Sequence, residues 1–371
     1  MAHRHVGVLD GVRGLAVLLV MAHHLGWTMP DTTWLGALVH TACLRGFVGV
    51  DLFFVLSGYL ITGGLIAPSP LATGARMKRF YVRRALRIFP LYYACIGMGS
   101  IVALSVGARP PNLLFWVYLH NYWQARHPDP EAWTVHLWSL AIEEQFYLVW
   151  PTVMLLLPRA RIPSTALILV GGVVARLGIL LYGGMSIVGA SAFVYCATYT
   201  RMDGLLCGAL VAIVESDKTS TAYAWWTRLR VPGLMLVLLV YLALHLAADG
   251  SDVLTRVSIG FEVFALAYGF ALVLSATIDG TVAPHLTRFF DRKLLQACGK
   301  ISYGMYVIHW PIMALLIPSL RRTTESLSPW AGTFLNLALL PVGAVVTYFL
   351  ARASYRWFES PFLALKERFA D

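Results

Sequence analysis

Long apolar stretches separated by short polar segments run along most of the chain. A helix needs about 20 predominantly apolar residues to cross the hydrocarbon core of a bilayer. Ten stretches come close to this length, and they predict spanning helices over residues 8–27, 46–66, 83–106, 138–157, 163–182, 199–215, 231–248, 257–278, 300–319 and 331–352. The pattern therefore predicts an all-α, polytopic integral membrane protein with about ten transmembrane helices.

Composition strengthens this prediction. Of the 371 residues, 58% are hydrophobic and 13% are charged, whereas soluble domains carry about 25% charged residues. A soluble globule of this size could not bury so much apolar surface. The excess of 29 Lys+Arg over 19 Asp+Glu could indicate nucleic-acid binding, but basic cytoplasmic loops explain it better in a membrane protein. The five cysteines show no CxxC pair or metal-ligand spacing, so neither a disulfide framework nor a metal site is predicted.

Loop charges predict the orientation of the chain. The densest basic cluster follows the second predicted helix and contains Arg76, Lys78, Arg79, Arg83, Arg84 and Arg87. Loops rich in Lys and Arg stay on the cytoplasmic side of the membrane. With an even number of helices, this predicts that both termini are cytoplasmic.

The loops give no sign of a second domain. No repeat, low-complexity tract or long linker interrupts the apolar segments, and about twenty residues follow the last predicted helix. We therefore expect residues 1–371 to form a single membrane domain without an appended soluble domain. The segment 112–123 is too short to span and is rich in Trp and Tyr, which favour the headgroup level. We expect an interfacial or re-entrant piece there.

Three ionisable residues share one face of the first predicted helix. Arg13 and His24 are eleven positions apart, so they differ by about 20° in azimuth and lie about 16 Å apart along the axis. Asp10 lies within about 60° of Arg13, at the i,i+3 spacing of an ion pair. Such a polar stripe can simply hold helices together, and we prefer that explanation for His23, which points elsewhere. For Arg13 and His24 we favour a lined cavity, the usual surrounding of ionisable groups in membrane interiors.

A basic cluster opens the third predicted helix. Arg83 and Arg87 are one turn apart on one face, and Arg84 lies beside them. Guanidinium groups match phosphate oxygens in bidentate fashion, so the cluster could hold the phosphates of a cytoplasmic donor. It could equally contact lipid phosphates, and the sequence leaves both interpretations open.

The fourth predicted helix carries polar residues at spacings of four. Ser139, Glu143 and Tyr147 therefore share one face. A carboxylate inside an apolar helix needs a cation, a hydrogen-bonding partner or a proton. Arg13 and Arg201 are plausible partners of Glu143.

Charged residues also mark the second and sixth predicted helices. Asp51 lies at the non-cytoplasmic end of the second, and the Ser57–Gly58 pair within that helix allows a bend or a close approach. Arg201 and Asp203 form a charged pair at the start of the sixth.

The ninth predicted helix carries a further polar stripe. Ser302 and Tyr306 stand four residues apart, and His309 follows one turn later, near the middle of the membrane. A structural histidine and a site residue explain His309 equally well.

These stretches, in this order, resemble the acyltransferase-3 family of integral membrane O-acyltransferases. The family pattern of Arg, ten residues and His in the first helix is met by Arg13 and His24. The resemblance extends to YRWFESP near the end of the chain, and its six blocks are LDGVRGLAVLLVMAHH, FFVLSGYLI, FYVRRALRIFPLYY, WSLAIEEQFYL, RMDGLLCG and ISYGMYVIHWP. One such block would be weak evidence, whereas six in order are specific.

The resemblance implies an O-acetyltransferase of the bacterial cell membrane, with acetyl-CoA or another acyl-CoA as donor, no metal, and a carbohydrate or glycosylated acceptor. Members of the family modify surface polysaccharides, peptidoglycan sugars, root-nodulation oligosaccharides and macrolide sugars. Many larger relatives carry a fused extracytoplasmic esterase-like domain. For this chain a small glycosylated metabolite, such as a macrolide, and a cell-surface polysaccharide are the expected acceptors.

Each candidate residue then receives an expected role. His24 is the candidate base, because imidazole titrates near physiological pH. Arg13 cannot act as a base, and we expect it to bind the donor. Glu143 joins them in the catalytic group in a supporting capacity. The donor-binding candidates are Arg83, Arg84 and Arg87, and those for substrate binding or support are Asp10, Asp51, Ser139, Tyr147, Arg201, Asp203, Tyr306 and His309.

Several alternatives stay open from the sequence. His24 is expected to deprotonate the acceptor directly, but a covalent acyl-histidine relay is a variant of this mechanism. A polytopic carrier could use the same buried His, Arg and Glu side chains, although no inverted repeat is visible in the sequence. A structural partner in an envelope complex would tolerate His24→Ala. The resemblance favours the acyltransferase over both other classes.

Overall fold

The computed structural model describes residues 2–107, 109–127, 134–248, 251–280 and 282–365. Within these ranges the chain is helical and contains no β-strand, which confirms the predicted fold class. The α-helices are α1 Ala2–Gly26, α2 Trp34–Leu44, α3 Val48–Ile66, α4 Thr73–Ser105, α5 Leu113–Trp116, α6 His120–Gln124, α7 Trp138–Leu156, α8 Arg161–Tyr182, α9 Ile187–Cys196, α10 Thr198–Arg201, α11 Asp203–Glu215, α12 Thr221–Ala247, α13 Asp252–Asp279, α14 Pro284–Phe290, α15 Lys293–Lys300, α16 Ser302–Glu325, α17 Pro329–Ser354 and α18 Ser360–Ala364. Two 3₁₀ turns, Arg45–Phe47 and Val135–Leu137, precede α3 and α7, and a π-helical turn, Tyr355–Glu359, follows α17.

Seven helical segments in the described ranges are long and apolar enough to cross a bilayer, or eight if the bent pair α15 and α16 counts as one span. The seven are Gly7–Gly26, Trp34–Ile66, Thr73–Ser105, Arg161–Tyr182, Thr221–Ala247, Asp252–Asp279 and Pro329–Ala364. The chain is therefore a multi-pass helical membrane protein. By these criteria the predicted count of about ten spans is not reached, although all ten predicted stretches are helical.

Three predicted spans fall short, each for a physical reason. Helix α7 contains Glu143 and Glu144, which lower its mean hydropathy. The stretch 199–215 is divided at Met202 into α10 and α11, and the 13 residues of α11 rise by only about 20 Å. The stretch 300–319 bends by 76° where α15 meets α16.

Other boundaries also differ from the prediction. Helices α4 and α12 begin well before the apolar stretches that predicted them, because basic and polar first turns extend the helix. Helix α2 was not predicted, and it continues through a 3₁₀ turn into α3 as one segment, Trp34–Ile66. The prediction that both termini are cytoplasmic concerns residues 1 and 366–371, which lie outside the described residues.

The segment 112–123 contains two short helices, α5 and the start of α6, and no span, as its length predicts. Tyr118 joins the two helices with a φ of 56°, a left-handed backbone that non-glycine residues rarely adopt. Gln145 of α7 donates from Nε2 to the Tyr118 carbonyl oxygen at 2.6 Å. The Tyr92 hydroxyl of α4 donates to the Phe115 carbonyl oxygen at 2.8 Å. These hydrogen bonds fix the segment against α7 and α4.

The surface of α12 indicates which solvent the helices face. None of its described residues is buried, and Leu236, Leu239 and Leu246 are each more than 60% exposed. In water such surface is unfavourable by about 25 cal/mol per Å², whereas lipid tails solvate it well. The bilayer is therefore the solvent of this face.

Helices α3 and α11 approach each other closely at two glycines. A Cβ atom at Gly58 would lie 1.9 Å from the carbonyl oxygen of Leu205, and one at Gly208 would lie 1.9 Å from that of Val55. Small residues at such contacts let membrane helices pack backbone to backbone. The close approach predicted at Gly58 is confirmed.

Two buried ion pairs join α10 and α11 to neighbouring helices. Arg201 donates two hydrogen bonds to the carboxylate of Asp51 in α3. Arg176 of α8 donates two to the carboxylate of Asp203, at 3.0 and 2.7 Å. Arg201 and Asp203, which the sequence places together, lie on either side of the break at Met202 and pair with different helices. Arg201 is also not the partner of Glu143.

The central pair should be essential for stability. Asp51→Ala should lower the free energy of unfolding by about 3–5 kcal/mol, because Arg201 would remain as an uncompensated buried charge. Thermal and denaturant unfolding of the purified protein in detergent measure this change. Asp252→Ala, at an exposed position at the start of α13, is the control and should cost no more than about 1 kcal/mol.

A double variant separates the ion pair from other roles of these side chains. Asp51→Leu with Arg201→Met removes both charges and should recover most of the lost stability, because buried ion pairs contribute little over apolar packing. A double variant that is as unstable as Asp51→Ala would contradict this explanation.

Candidate active site

His24, near the end of α1, and His309, in α16, form a hydrogen bond whose donor and acceptor can be assigned. Nδ1 of His24 lies 2.9 Å from Nε2 of His309. Nδ1 of His309 lies 2.6 Å from the carbonyl oxygen of Tyr306, which can only accept, so His309 carries its proton on Nδ1. In neutral His309, Nε2 is then an acceptor, and His24 donates to it from Nδ1.

This arrangement leaves Nε2 of His24 as a bare nitrogen. Within the described ranges Nε2 takes part in no hydrogen bond, and the ring is packed by Trp27 and Trp310 at ring-centre distances of 5.3 and 4.6 Å. A proton taken up at Nε2 would be stabilised through Nδ1 by His309, which is fully buried. The geometry therefore presents one imidazole as a base, oriented by a second.

A cavity of about 190 Å³ lies against His24. We call it the histidine cavity, and its lining consists of Val20, His23, His24, Trp27, Phe47, Val50, Gln124, Val135, His136, Trp138, Tyr195, Cys196 and Tyr306. None of these residues is a Lys, Arg, Asp or Glu. Aromatic rings and neutral polar groups form the wall, which suits an uncharged ligand.

Two side chains of the histidine cavity carry spare acceptor atoms. Gln124 donates from Nε2 to the carbonyl oxygen of Val135 at 3.0 Å, so its buried Oε1 is an acceptor without a partner among the described residues. Nε2 of His136 lies 3.2 Å from the carbonyl oxygen of Val307 and carries the proton, so its buried Nδ1 is a second such acceptor. Each unpaired buried acceptor costs about 1–3 kcal/mol. A ligand with hydroxyl donors would satisfy them.

A second cavity, of about 100 Å³, lies further towards the start of α1. We call it the arginine cavity, and its lining consists of Arg13, Val50, Phe53, Phe54, Ser57, Arg84, Arg87, Ile88, Ser139, Leu140, Glu143, Tyr147, Ser302, Tyr303 and Tyr306. The predicted face of Ser139, Glu143 and Tyr147 is therefore confirmed as a cavity wall. Arg13 meets it from α1, whereas His24, which was expected to line a cavity with Arg13, lines the histidine cavity instead.

The acidic groups near the arginine cavity already have partners. Asp10 forms the predicted ion pair with Arg13, at 3.0 Å. Glu143 accepts hydrogen bonds from the hydroxyls of Ser57, at 2.8 Å, and Tyr147, at 3.1 Å. The partners of Glu143 are thus hydroxyl groups, and of the three cations that line the cavity only Arg13 has a direct carboxylate partner in the described part of the chain.

Arg84 and Arg87 have no carboxylate partner and no hydrogen bond within the described ranges. The guanidinium of Arg84 lies 5.6 Å from the ring centre of Tyr147. Glu143 and Glu144 attract Arg84, and Glu359 attracts Arg87, but no carboxylate of the described residues is bonded directly to either guanidinium. Both groups can therefore still bind an anionic ligand through hydrogen bonds.

Arg83 does not join them. It lines a separate groove with Arg76 and Arg79, because successive helical residues turn by about 100°. The arginine cavity is lined by Arg84 and Arg87, which are three residues apart. The sequence had predicted that Arg83 and Arg87 would share a face. Arg84 lines both the groove and the cavity.

Three further candidates lie behind the site. Asp51, Arg201 and Asp203 line neither cavity. The guanidinium of Arg201 lies 4.8 Å from the ring centre of Tyr195, which lines the histidine cavity. Their ion pairs support the wall and are not exposed to a ligand.

The imidazole groups serve different purposes. His23 lies with Nδ1 2.8 Å from the carbonyl oxygen of Leu44 and links α1 to α2, the structural role we preferred for it. The rings of His24 and His136 lie 5.0 and 5.2 Å from that of His309. Among the described residues, no group of three or more His, Cys, Asp or Glu side chains could hold a metal ion.

Sequence reasoning missed two residues of the histidine cavity. His136 stands three positions before Ser139 and next to a block that carries the resemblance, so the sequence held a signal for it. Gln124 follows the short segment 112–123, and no spacing pointed to it.

The fold and the two cavities define a class: a multi-pass helical membrane protein with a cationic cavity that adjoins a cavity lined by one imidazole of a histidine pair. The model of the acyltransferase domain family matches residues 6–356. The chain therefore belongs to the acyltransferase-3 family, which confirms the resemblance found in its sequence blocks.

Characterised or named relatives cover nearly the whole chain. It is 32% identical to peptidoglycan O-acetyltransferase OatA of Listeria monocytogenes, over 97% of this chain and 56% of the relative. It is 30% identical to the putative peptidoglycan O-acetyltransferase YrhL of Bacillus subtilis, over 97% and 55%. It is 26% identical to O-acetyltransferase OatA of Staphylococcus aureus, over 96% and 57%. The chain thus spans just over half the length of these relatives, and no solved structure matches it significantly.

The direction of the histidine pair can be measured without an activity assay. We expect ¹⁵N NMR of histidine-labelled protein to find His24 with a protonated Nδ1 and a bare Nε2, because the Tyr306 carbonyl fixes the tautomer of His309. His309→Ala should remove this preference, since Nδ1 of His24 then loses its acceptor. A His24 that is protonated on Nε2 in the unaltered protein at neutral pH would contradict the assignment.

Proposed function

We propose that this chain is a membrane O-acyltransferase that moves an acetyl or other short acyl group from acyl-CoA to a hydroxyl group of a sugar. The observation that carries the proposal is the contact between the arginine cavity and the cavity of the His24–His309 pair at two shared wall residues, Val50 and Tyr306. One compartment suits a polyanionic donor, and the adjoining one holds a base beside neutral acceptor atoms.

The donor belongs to the arginine cavity in this proposal. Coenzyme A carries phosphate groups, and Arg84 and Arg87 offer guanidinium groups that form no direct ion pair with a carboxylate of the described residues. Arg13 lies in the same cavity, held by Asp10, and would add a third guanidinium group to the binding of the donor. Glu143 limits the local excess of positive charge and holds Ser57 and Tyr147 in place.

The acceptor belongs to the histidine cavity. The acceptor hydroxyl gives its proton to Nε2 of His24 while its oxygen attacks the thioester carbon. The carbon–sulfur bond breaks, the new ester forms, and the proton on His24 can pass to the departing thiolate. His309 keeps Nε2 of His24 unprotonated at the start and stabilises the imidazolium afterwards.

A relay through the histidine is the second form of this mechanism. Nε2 of His24 could itself attack the thioester and pass the acyl group to the hydroxyl. Trapping an isotope-labelled acyl group on His24 in the absence of an acceptor would distinguish the relay from direct transfer.

The acceptor class rests on both the relatives and the cavity. Two relatives named for peptidoglycan support a cell-wall sugar, and the unpaired acceptors of Gln124 and His136 suit a ligand with several hydroxyl groups. A glycosylated metabolite such as a macrolide has the same chemistry. We further propose a bacterial plasma-membrane location with the basic start of α4 on the cytoplasmic side, where acyl-CoA is available.

Loss of the base should abolish transfer. His24→Ala should lower the turnover of acetyl-CoA-dependent transfer by about 100- to 10,000-fold, because general base catalysis is removed. Radiolabelled acetyl-CoA and purified protein in nanodiscs, with a peptidoglycan fragment as acceptor, measure this change. His245→Ala, exposed on α12, is the control and should retain full activity. Full transfer by His24→Ala would sink the proposal and revive a carrier function.

Loss of the unpaired guanidiniums should weaken donor binding. Arg84→Gln and Arg87→Gln should each raise the KM for acetyl-CoA by about tenfold, since each removes a charge-assisted hydrogen bond worth about 1.5–3 kcal/mol. Arg159→Gln, an exposed basic residue on the same predicted side of the membrane, should leave KM unchanged. If all three variants behave alike, the arginines serve lipid contact and not the donor.

A further inference from the structure

Tyr306 stands between the two cavities and is held there by hydrogen bonds. Its hydroxyl donates to the carbonyl oxygen of His136 at 2.6 Å. The Ser139 hydroxyl lies 2.5 Å away, and since the phenol proton is committed to His136, Ser139 is the donor of that second bond. Tyr306 is 6% exposed. The ring therefore has a fixed position in the wall that separates the arginine cavity from the histidine cavity.

The two cavities lie at different depths of the membrane. Arg13 lines one and His24 the other, and eleven residues of α1 separate them by about 16 Å along the axis. The wall of the histidine cavity includes the end of α1 and the turn before α7, whereas that of the arginine cavity includes the start of α16. An open passage between them would let water pass from one cavity to the other. That water could then reach a bound thioester.

We propose that Tyr306 is the partition between the arginine cavity and the histidine cavity, a positioning residue that keeps water from crossing and couples donor cleavage to acceptor binding. The coupling of donor cleavage to acceptor binding rests on the proposed acyltransferase function. The closure of the passage between the two cavities does not depend on that function. When the phenol leaves Ser139 and His136, the passage opens for the acyl group. An acceptor that already fills the histidine cavity leaves no room for water there, so its hydroxyl is the nucleophile that meets the thioester.

Cysteine labelling tests the seal without any assay of transfer. Cys196 lines the histidine cavity, and Ser57 lines the arginine cavity. With the other four cysteines replaced by alanine, Cys196 is probed in sealed vesicles of both orientations with a membrane-impermeant thiosulfonate. In a second protein, also with Cys196 replaced by alanine, Ser57→Cys reports which face opens to the arginine cavity. We expect Cys196 to react only from the opposite face.

Removing the ring should open the passage. In Tyr306→Ala, Cys196 should also react from the Ser57 face, at a rate raised by about tenfold or more, because the vacated volume admits water-sized probes. Tyr303→Ala is the matched control: Tyr303 is a tyrosine one turn earlier on α16 that lines the arginine cavity alone. It should leave Cys196 closed from that face. Tyr306→Phe keeps the ring but loses both hydrogen bonds, and should give an intermediate rate.

Hydrolysis of acetyl-CoA without an acceptor is the second readout. Here the carbon–sulfur bond breaks, a water oxygen bonds to the acetyl carbon, and acetate and free thiol are released. The ratio of hydrolysis to transfer should rise from unaltered protein to Tyr306→Phe to Tyr306→Ala, while the KM for acetyl-CoA stays constant. A purely structural role would lower both reactions together and leave the ratio unchanged.

The outcomes separate the two proposals. The partition is overturned if Cys196 is labelled from both faces in the protein that retains Tyr306. It is also overturned if Cys196 is labelled from one face only in Tyr306→Ala. Labelling as expected without acetyl-CoA cleavage by any variant overturns the acyltransferase and supports Tyr306 as a seal. If Tyr306→Ala does not fold, Tyr306→Phe decides, since unaltered labelling in that variant, together with an unaltered hydrolysis ratio, overturns the partition.

Discussion

A charge inside an apolar layer must find a counter-charge or a ligand, and this constraint organises the centre of the molecule. In the pairs Asp51–Arg201 and Arg176–Asp203 the two charges neutralise each other, and the pairs join α3 to α10 and α8 to α11. Because the fold consumes these charges, the cations that it leaves unpaired become informative. Two of them, Arg84 and Arg87, line the arginine cavity together, where a polyanion could supply the direct partner that they lack among the described residues.

Most of the fold could be predicted from hydropathy alone, because lipid imposes a length and a composition on each spanning helix. The departures occur where polar chemistry competes with that rule. The carboxylates of Glu143 and Glu144 lower the hydropathy of α7, and the break at Met202 divides the sixth predicted span. Both places lie beside the candidate site or its supporting ion pairs. Hydropathy therefore predicts the spanning helices least well where polar residues interrupt the apolar pattern.

The site could be predicted in part, along single helices. Helical spacing correctly brought Ser139, Glu143 and Tyr147 to one wall and paired Asp10 with Arg13. Partners on other helices could not be found, because one sequence contains no information on which helix faces lie opposite each other. The acceptor of His24 and the partners of the buried arginines belong to this second group. Their roles as site residues stay predictions until the proposed variants are measured.

The bend of 76° between α15 and α16 has an electrostatic consequence for the arginine cavity. A straight span would carry its backbone through this level with every amide hydrogen-bonded internally. The break starts a new helix at Ser302, so the unpaired amides of its first turn and the positive end of its dipole lie at the cavity wall formed by Ser302 and Tyr303. The backbone thus adds positive potential that no substitution of a side chain would remove, and part of the attraction for anions is a property of the chain's path.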